Sequence, residues 1–160
     1  MNNYYKFGRI ITTIIMAMAL RIAPWPDFIE IFNPDWVLLA LIYWTIAIPE
    51  RVGIFHAWVF GLLTDVLTGR AFGQHALAYS IVSYVCIKLH KRLRPFPLIQ
   101  QELFIFLFLL LSQLLLFWVK NLETPGQLSA TFWLPVVSGT LCWPVVYKSL
   151  RFIRLLHSSK

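Results

Sequence analysis

Charged residues are scarce in this sequence. Asp, Glu, Lys and Arg make up 13% of the 160 residues, whereas 59% are hydrophobic and 16% are aromatic. A soluble domain has about 25% charged residues, and so few charges could not cover the surface of one. The composition therefore predicts an all-α, polytopic membrane helical bundle, and residues 1–160 leave room for only one integral membrane domain.

Cysteine, acidic residues and reactive groupings are scarce too. The two cysteines, Cys86 and Cys142, fall inside apolar runs, which favours small apolar residues over a disulfide or a metal pair. Lys and Arg (14) outnumber Asp and Glu (7), but they cluster between apolar runs, as membrane topology requires, and so do not indicate a nucleic-acid partner. No nucleophile with a base, phosphate loop or carboxylate pair is present. We therefore expect no enzyme activity, no cofactor and no metal.

Six apolar runs predict six transmembrane helices. Several are shorter than the roughly 20 residues that a straight helix needs to cross a bilayer, and local thinning of the membrane can absorb part of that mismatch. The predicted spans are approximately 8–23, 36–48, 52–67, 74–89, 103–119 and 132–147.

The distribution of Lys and Arg predicts the orientation. With the amino terminus inside, eleven basic residues fall on inner segments and three on the outer side, and the basic side is cytoplasmic. Both termini of the membrane protein are therefore expected in the cytoplasm. Trp25, Trp36, Trp118 and Trp133 would then lie at the outer interface. The inner basic residues are Lys6, Arg9, Arg51, Lys88, Lys91, Arg92, Arg94, Lys148, Arg151, Arg154 and Lys160.

The first run has two interpretations. Lys6 and Arg9, an apolar stretch and Ala17-Met18-Ala19 resemble a cleavable signal peptide. The apolar run continues beyond the small residues, which favours an uncleaved anchor, and the loops keep the same orientation in both cases.

Prolines mark the first predicted outer loop. Pro24-Trp25-Pro26-Asp27 cannot continue a helix, because each proline fixes its own φ and restricts the preceding residue. Asn33-Pro34-Asp35 predicts the next helix start, with Asn33 as the cap and Asp35 at the positive end of the helix dipole.

Gly61, Asp65, Gly69 and Gly73 recur at steps of four residues. We interpret Gly61 as a site of close helix packing and the other two glycines as turn residues with positive φ. Asp65 is costly in an apolar span and so is a functional candidate. It has three interpretations: a cap on the following turn, an ion pair with Arg21 or Arg70, and a proton relay.

A shared metal site does not fit these positions. His56 and Asp65 are nine residues apart, about 13 Å along a helix, whereas ligands of one metal lie about 2 Å from it. His56 and His75 are therefore expected to be structural histidines.

The order of these motifs resembles the MreD family of rod shape-determining membrane proteins. The similarity covers nearly the whole chain and is strongest between Pro24 and Tyr84. The motifs that carry it are Pro24-Trp25-Pro26-Asp27, Asn33-Pro34-Asp35-Trp36-Val37-Leu38-Leu39, Tyr43-Trp44, Pro49-Glu50-Arg51-Val52, and Gly61-Leu62-Leu63-Thr64-Asp65-Val66-Leu67-Thr68-Gly69 with Gly73.

The resemblance implies a non-enzymatic scaffold of the cell-elongation (rod) complex in the bacterial inner membrane, which supports side-wall peptidoglycan synthesis. The implied partners are MreC and, through it, MreB, RodA and a class B penicillin-binding transpeptidase, besides membrane lipid. The implied fold is that of the substrate-binding component of vitamin-uptake (ECF-type) transporters. The alternative is a small-molecule-binding subunit of a transporter, with Asp65 and Gln113 facing a cavity. The structural or partner-interface candidates are Arg21, Trp25, Pro26, Asp35, Gly61, Asp65, Gly69 and Gly73.

Overall fold

A computed structural model describes residues 3–123, 125–126 and 129–155 of the protein. These residues form helices joined by short loops, and the predicted all-α class is confirmed. Each of the six predicted apolar runs lies mostly on a separate helix. Lys160 lies outside the described residues. The helices are α1 (Asn3–Ile22), α2 (Asp27–Glu30), α3 (Trp36–Ala47), α4 (Ile54–Thr68), α5 (Gln74–Leu93), α6 (Leu98–Glu123) and α7 (Leu134–Leu155), with a 3-10 turn at Ala130–Trp133.

Two stretches are long and apolar enough to cross a membrane by length and composition. They are Leu98–Glu123, which is α6, and Ala130–Leu155, which is α7 with the preceding 3-10 turn. α3 and α4 are apolar but shorter. The number of spans, predicted above as six, therefore stays a prediction.

Helix α3 lies in the centre of the bundle. Ten of its 12 residues are buried, on every side of the helix, as is typical of a helix that is apolar all round. Five helices surround α3 in the order α1, α4, α5, α6, α7, and each contacts the next, with α7 contacting α1. α3 itself packs against α1, α5, α7 and α4. Burial at this position adds dispersion contacts, which hold helices together where lipid is as apolar as the core.

The bundle has two chemically different ends. The loops at 23–35 and 69–73 and the end of α6 lie at one end, which we call the Asp65 end. There, the side-chain amide of Gln74 at the start of α5 donates a hydrogen bond to Glu123 at the end of α6, with 3.4 Å between Nε2 and Oε1. The loops at 48–53 and 94–97, the start of α1 and the end of α7 lie at the other, the basic end. The predicted inner Lys and Arg residues that the structure describes lie at or near the basic end.

The two ends of α3 are held by charged side chains. Asp35 caps the start of α3 by accepting a hydrogen bond from the backbone N–H of Leu38 at 3.1 Å. This corrects the expectation that Asn33 is the cap. At the other end, Arg94 donates to the carbonyl oxygen of Ala47 at 2.6 Å. A cation there complements the free carbonyls and the negative end of the helix dipole.

The cap at the basic end can be tested by substitution. Arg94→Met keeps the aliphatic stem but leaves the Ala47 carbonyl without its donor. We expect a loss of about 1 kcal/mol in the free energy of unfolding, as for other caps and helix-dipole partners. Chemical denaturation of the protein in detergent measures it. Arg92→Met is the matched control on the exposed end of α5, and an equal loss there would contradict the role given to Arg94.

Arg9 makes a similar contact with the end of α7. Its Nη1 lies 3.4 Å from the carbonyl oxygens of Ile153 and Arg154. The guanidinium of Arg154 in turn lies over the ring of Tyr43 on α3, 5.8 Å from its centroid. Several residues that the positive-inside pattern places on the cytoplasmic side therefore also stabilise helix ends and helix packing.

Candidate functional site

Asp65 lies in the last turn of α4 and is fully buried. Its Oδ1 accepts a hydrogen bond from the backbone N–H of His75 at 3.0 Å. Its Oδ2 accepts one from Gly73 at 2.9 Å and a longer one from Ala76 at 3.4 Å. These N–H groups belong to the start of α5, where donors have no acceptor within the helix, and negative charge is favourable there. The capping interpretation of Asp65 is the one that the structure shows.

The side chain of His75 binds the same carboxylate. Its Nδ1 lies 2.7 Å from Oδ1 of Asp65, and neither side chain is accessible to solvent. An ionised carboxylate only accepts hydrogen bonds, so Nδ1 carries the hydrogen when Asp65 is ionised. The ring also packs edge-on against Tyr79, with centroids 5.5 Å apart. The expectation of a structural histidine at this position is confirmed, and its partner is the carboxylate that the sequence analysis singled out.

Three glycines allow this arrangement. Gly69 ends α4 with a φ of 61°, and Gly73 precedes α5 with a φ of 99°, so the predicted positive φ is confirmed at both. Gly61 packs directly on the backbone of α5, and a Cβ there would lie 2.4 Å from Cα of Ala76 and 2.7 Å from the carbonyl carbon of His75. The tight turn and the close packing together bring the start of α5 within reach of Asp65.

A second carboxylate, Asp35, joins α3 to α5. The hydroxyl of Tyr79 donates to its two oxygens, at 2.7 Å and 2.8 Å, while the same side chain caps α3. Because Tyr79 also contacts the ring of His75, one continuous polar cluster links the starts of α3 and α5. We call Asp35, Asp65, His75 and Tyr79 the capping cluster.

Arg21 lies beside the capping cluster without pairing with Asp65. Its Nη1 is 3.4 Å from the carbonyl oxygens of Asn33 and Pro34. The Asn33 amide in turn donates to the Arg21 carbonyl and accepts a hydrogen bond from the indole of Trp36 at 2.9 Å. The proposed Arg21–Asp65 ion pair is therefore wrong. The depths of Arg21 and Asp65 were estimated adequately from the helical rise. The pair does not form because the oxygens of Asp65 already accept hydrogen bonds from α5.

Exchanging the two charges tests this correction. If Arg21 and Asp65 formed a pair, the double variant Arg21→Asp/Asp65→Arg would recover stability lost in the single variants. We expect no recovery, because arginine at position 65 cannot accept the hydrogen bonds that α5 donates. Thermal unfolding of the two single variants and of the double variant measures the coupling free energy between positions 21 and 65. Recovery beyond the roughly 0.5 kcal/mol within which independent sites add would restore the ion-pair interpretation.

Trp25 and Pro26 lie outside the capping cluster, on the exposed loop between α1 and α3. The indole of Trp25 donates to the carbonyl of Leu20 at 3.1 Å, and Pro26 precedes α2. α2 has no buried residue, and it exposes Phe28 and Ile29. The structure therefore places six of the eight candidates in or next to the contacts around the starts of α3 and α5, and it places Trp25 and Pro26 on the exposed loop.

The role of Tyr79 was not predicted from the sequence. Nothing in its local sequence distinguishes it from a residue at the membrane interface, and its contact with Asp35 spans 44 positions. The sequence contained one indication of this contact. Tyr79 is a polar residue within an apolar helix, and Asp35 is an acidic residue at the start of another helix. The capping cluster uses its acidic oxygens for internal hydrogen bonds, which is the chemistry of a structural element. Among the described residues, no group of three or more His, Cys, Asp or Glu could hold a metal.

Comparisons with known proteins give a consistent result. A family model described as MreD, rod shape-determining protein MreD, matches residues 1–153. A curated protein named rod shape-determining protein MreD, from Haemophilus influenzae, is 35% identical over 150 residues, which cover 91% of this chain and 90% of that protein. No solved structure matches significantly.

Proposed function

Because this chain belongs to the MreD family of rod shape-determining proteins, we propose that it acts in rod shape determination as a non-enzymatic membrane scaffold. In this proposal it binds MreC and, through it, works with MreB, RodA and a class B penicillin-binding transpeptidase in side-wall peptidoglycan synthesis. The single observation that carries the proposal is the family match along almost the whole chain.

The proposed membrane arrangement has six spans, α1 and α3 to α7, in the bacterial inner membrane. The basic end and both termini face the cytoplasm, because Lys and Arg concentrate on that side. The Asp65 end and its loops face outward. The relation in fold to the substrate-binding components of vitamin-uptake transporters is part of the same proposal.

The contacts of Asp65 and Gln113, the two side chains expected to face a cavity, favour a scaffold over a small-molecule binder. A binding cavity needs polar groups that are free to meet a ligand. The oxygens of Asp65 accept hydrogen bonds from the start of α5, and the amide of Gln113 donates to the carbonyl of Phe132. In contrast, large apolar side chains are exposed along α1, α4, α6 and α7, where another membrane helix can pack.

Photo-crosslinking in cells tests the scaffold directly. A photoreactive residue is placed at one exposed apolar position on each of the five outer helices: Met16, Leu63, Leu77, Leu107 and Leu141. The cells are rod-shaped bacteria that lack their own relative and produce this chain together with MreC. We expect crosslinks to MreC from one or two neighbouring helices only. The buried position Leu39 on α3 is the control and is expected to give none. Rod-shaped cells without a crosslink from any face would contradict the proposal.

Deletion separates the two functions. A scaffold predicts rounded cells with normal vitamin uptake after loss of the protein, whereas a binding subunit predicts impaired uptake with normal shape. Reporter fusions at the carboxyl terminus test the orientation independently, and an external terminus would contradict the six-span arrangement.

A further inference from the structure

The lipid-facing side of α4 is short. Its exposed large apolar side chains begin at Ile54 and end at Leu67, 13 residues apart and therefore separated by about 20 Å along the helix. Gly53 and Gly69 are the residues that flank the helix, so it extends no further in either direction. The hydrocarbon core of a typical bilayer is about 30 Å thick.

Helix α1, the neighbour of α4 in the ring, is similarly limited. Its exposed apolar side chains run from Phe7 to Ile22, 15 residues apart and therefore separated by about 22 Å, and Arg9 and Arg21 lie near the two ends of this stretch. Both guanidinium groups are bound to backbone carbonyls of the bundle, Arg9 at the end of α7 and Arg21 at the loop before α3. Neither side chain is free to extend outward along the membrane normal, so the short apolar height of α1 is fixed by the fold.

Elsewhere in the ring, α6 presents a taller apolar surface. Its exposed apolar side chains run from Leu103 to Leu122. This distance corresponds to about 28 Å, close to the thickness of the hydrocarbon core. The ring thus joins a short sector, defined as α1 and α4, to a tall sector, defined as α6.

We propose that the protein thins the lipid bilayer beside its short sector. The inference rests on the six-span arrangement proposed above. Exposed apolar residues must be covered by hydrocarbon, and polar backbone ends must not be. A short span is matched by thinning of the adjacent bilayer or by snorkelling side chains. Tilting cannot correct a short helix, because it reduces the height further. Lipid with short or disordered acyl chains is therefore the partner that fits this surface.

The two sectors make the thinning one-sided. The tall sector matches a bilayer of ordinary thickness, so the membrane returns to that thickness around the ring from α4 through α5 to α6. The protein would therefore carry a local gradient of thickness rather than a symmetrical dimple. Such a gradient is a property of this chain in lipid and needs no other subunit.

Site-directed spin labelling of the purified full chain in vesicles of dioleoyl phosphatidylcholine tests the proposal. Single cysteines are placed in a Cys86→Ala/Cys142→Ser background at Ile54, Trp58, Leu63 and Leu67 of α4. The matched positions on α6 are Leu103, Leu107, Trp118 and Leu122. The accessibility of each label to oxygen, which concentrates in hydrocarbon, is compared with its accessibility to a water-soluble nickel chelate.

We expect the labels at Ile54 and Leu67 to be at the water boundary, with Trp58 and Leu63 in hydrocarbon. The boundary on α6 is expected at Leu103 and Leu122, so that the two boundaries are about 20 Å apart on α4 and about 28 Å apart on α6. Labels at Ile54 and Leu67 that are both deep in hydrocarbon would overturn the thinning and leave the six spans intact. If Trp58 and Leu63 were also in water, while Leu107 and Trp118 were in hydrocarbon, the spanning role of α4 itself would fail.

Discussion

Asp65→Ala is expected to lower the free energy of unfolding by about 4 kcal/mol, the typical cost of removing one member of a buried, hydrogen-bonded pair. The substitution leaves the N–H groups of Gly73 and His75 and the imidazole of His75 without their common acceptor. Each buried donor left unpaired costs about 1–3 kcal/mol. Chemical denaturation in detergent, followed by tryptophan fluorescence, measures the loss.

Two further variants test whether the loss of stability is specific to the carboxylate of Asp65. Asp65→Asn keeps one acceptor oxygen but turns an amide N–H₂ toward donors, so a loss of about 2 kcal/mol is expected, within the range for one unsatisfied buried donor. Glu30→Ala removes an acidic side chain from the exposed helix α2 and should change the stability by less than about 0.5 kcal/mol. Equal effects of Asp65→Ala and Glu30→Ala would show that Asp65 does not hold the start of α5.

Gly61→Ala is expected to cost about 3 kcal/mol, at the upper end for overpacking a core. The added methyl group would meet backbone atoms of α5, Cα and N of Ala76, at 2.4 Å and 2.5 Å. A side chain could move away from such a contact, but the backbone cannot move without separating α4 from α5. The same movement would draw the start of α5 away from Asp65, so shape complementation in cells should fail together with stability.

Gly8→Ala is the matched control. Gly8 is also a helical glycine, but no atom lies within 4 Å of the position of its Cβ. Alanine has the higher helix propensity by about 1 kcal/mol, so this variant should be neutral or slightly more stable than the natural protein. Destabilisation by Gly8→Ala equal to that by Gly61→Ala would indicate that glycine matters for helix flexibility and not for packing.

The sequence predicted the importance of Asp65 but not its partner. Its depth could be estimated from the helical rise, and that estimate pointed to Arg21, a residue at similar depth on another helix. The true partners lie 8 to 11 positions further along the same chain. They reach Asp65 because Gly69 and Gly73 turn the chain back within a few residues. Counting residues along each helix gives the depth of a side chain but does not reveal that turn.

The central position of α3 could not be predicted either. Its apolar run resembles the other five, since lipid and protein interior favour the same side chains. Which run is surrounded by protein depends on helix contacts between distant parts of the chain, such as the Arg94 contact with Ala47 across 47 positions. The helix start was predicted to within two residues, and the cap moved from Asn33 to Asp35 because Asn33 is bound to Arg21 and Trp36.

The brevity of α3 has a consequence for how the chain is synthesised. Twelve residues reach only about 18 Å, so α3 alone would leave polar chain ends within hydrocarbon, where unsatisfied groups are costly. Helix α1 is made earlier and already packs against α3, but Tyr79 and Arg94, which hold the two ends of α3, leave the ribosome later. If α3 spans the membrane as proposed above, a nascent chain that stops before α5 should therefore hold this helix in the bilayer less firmly than the full chain does.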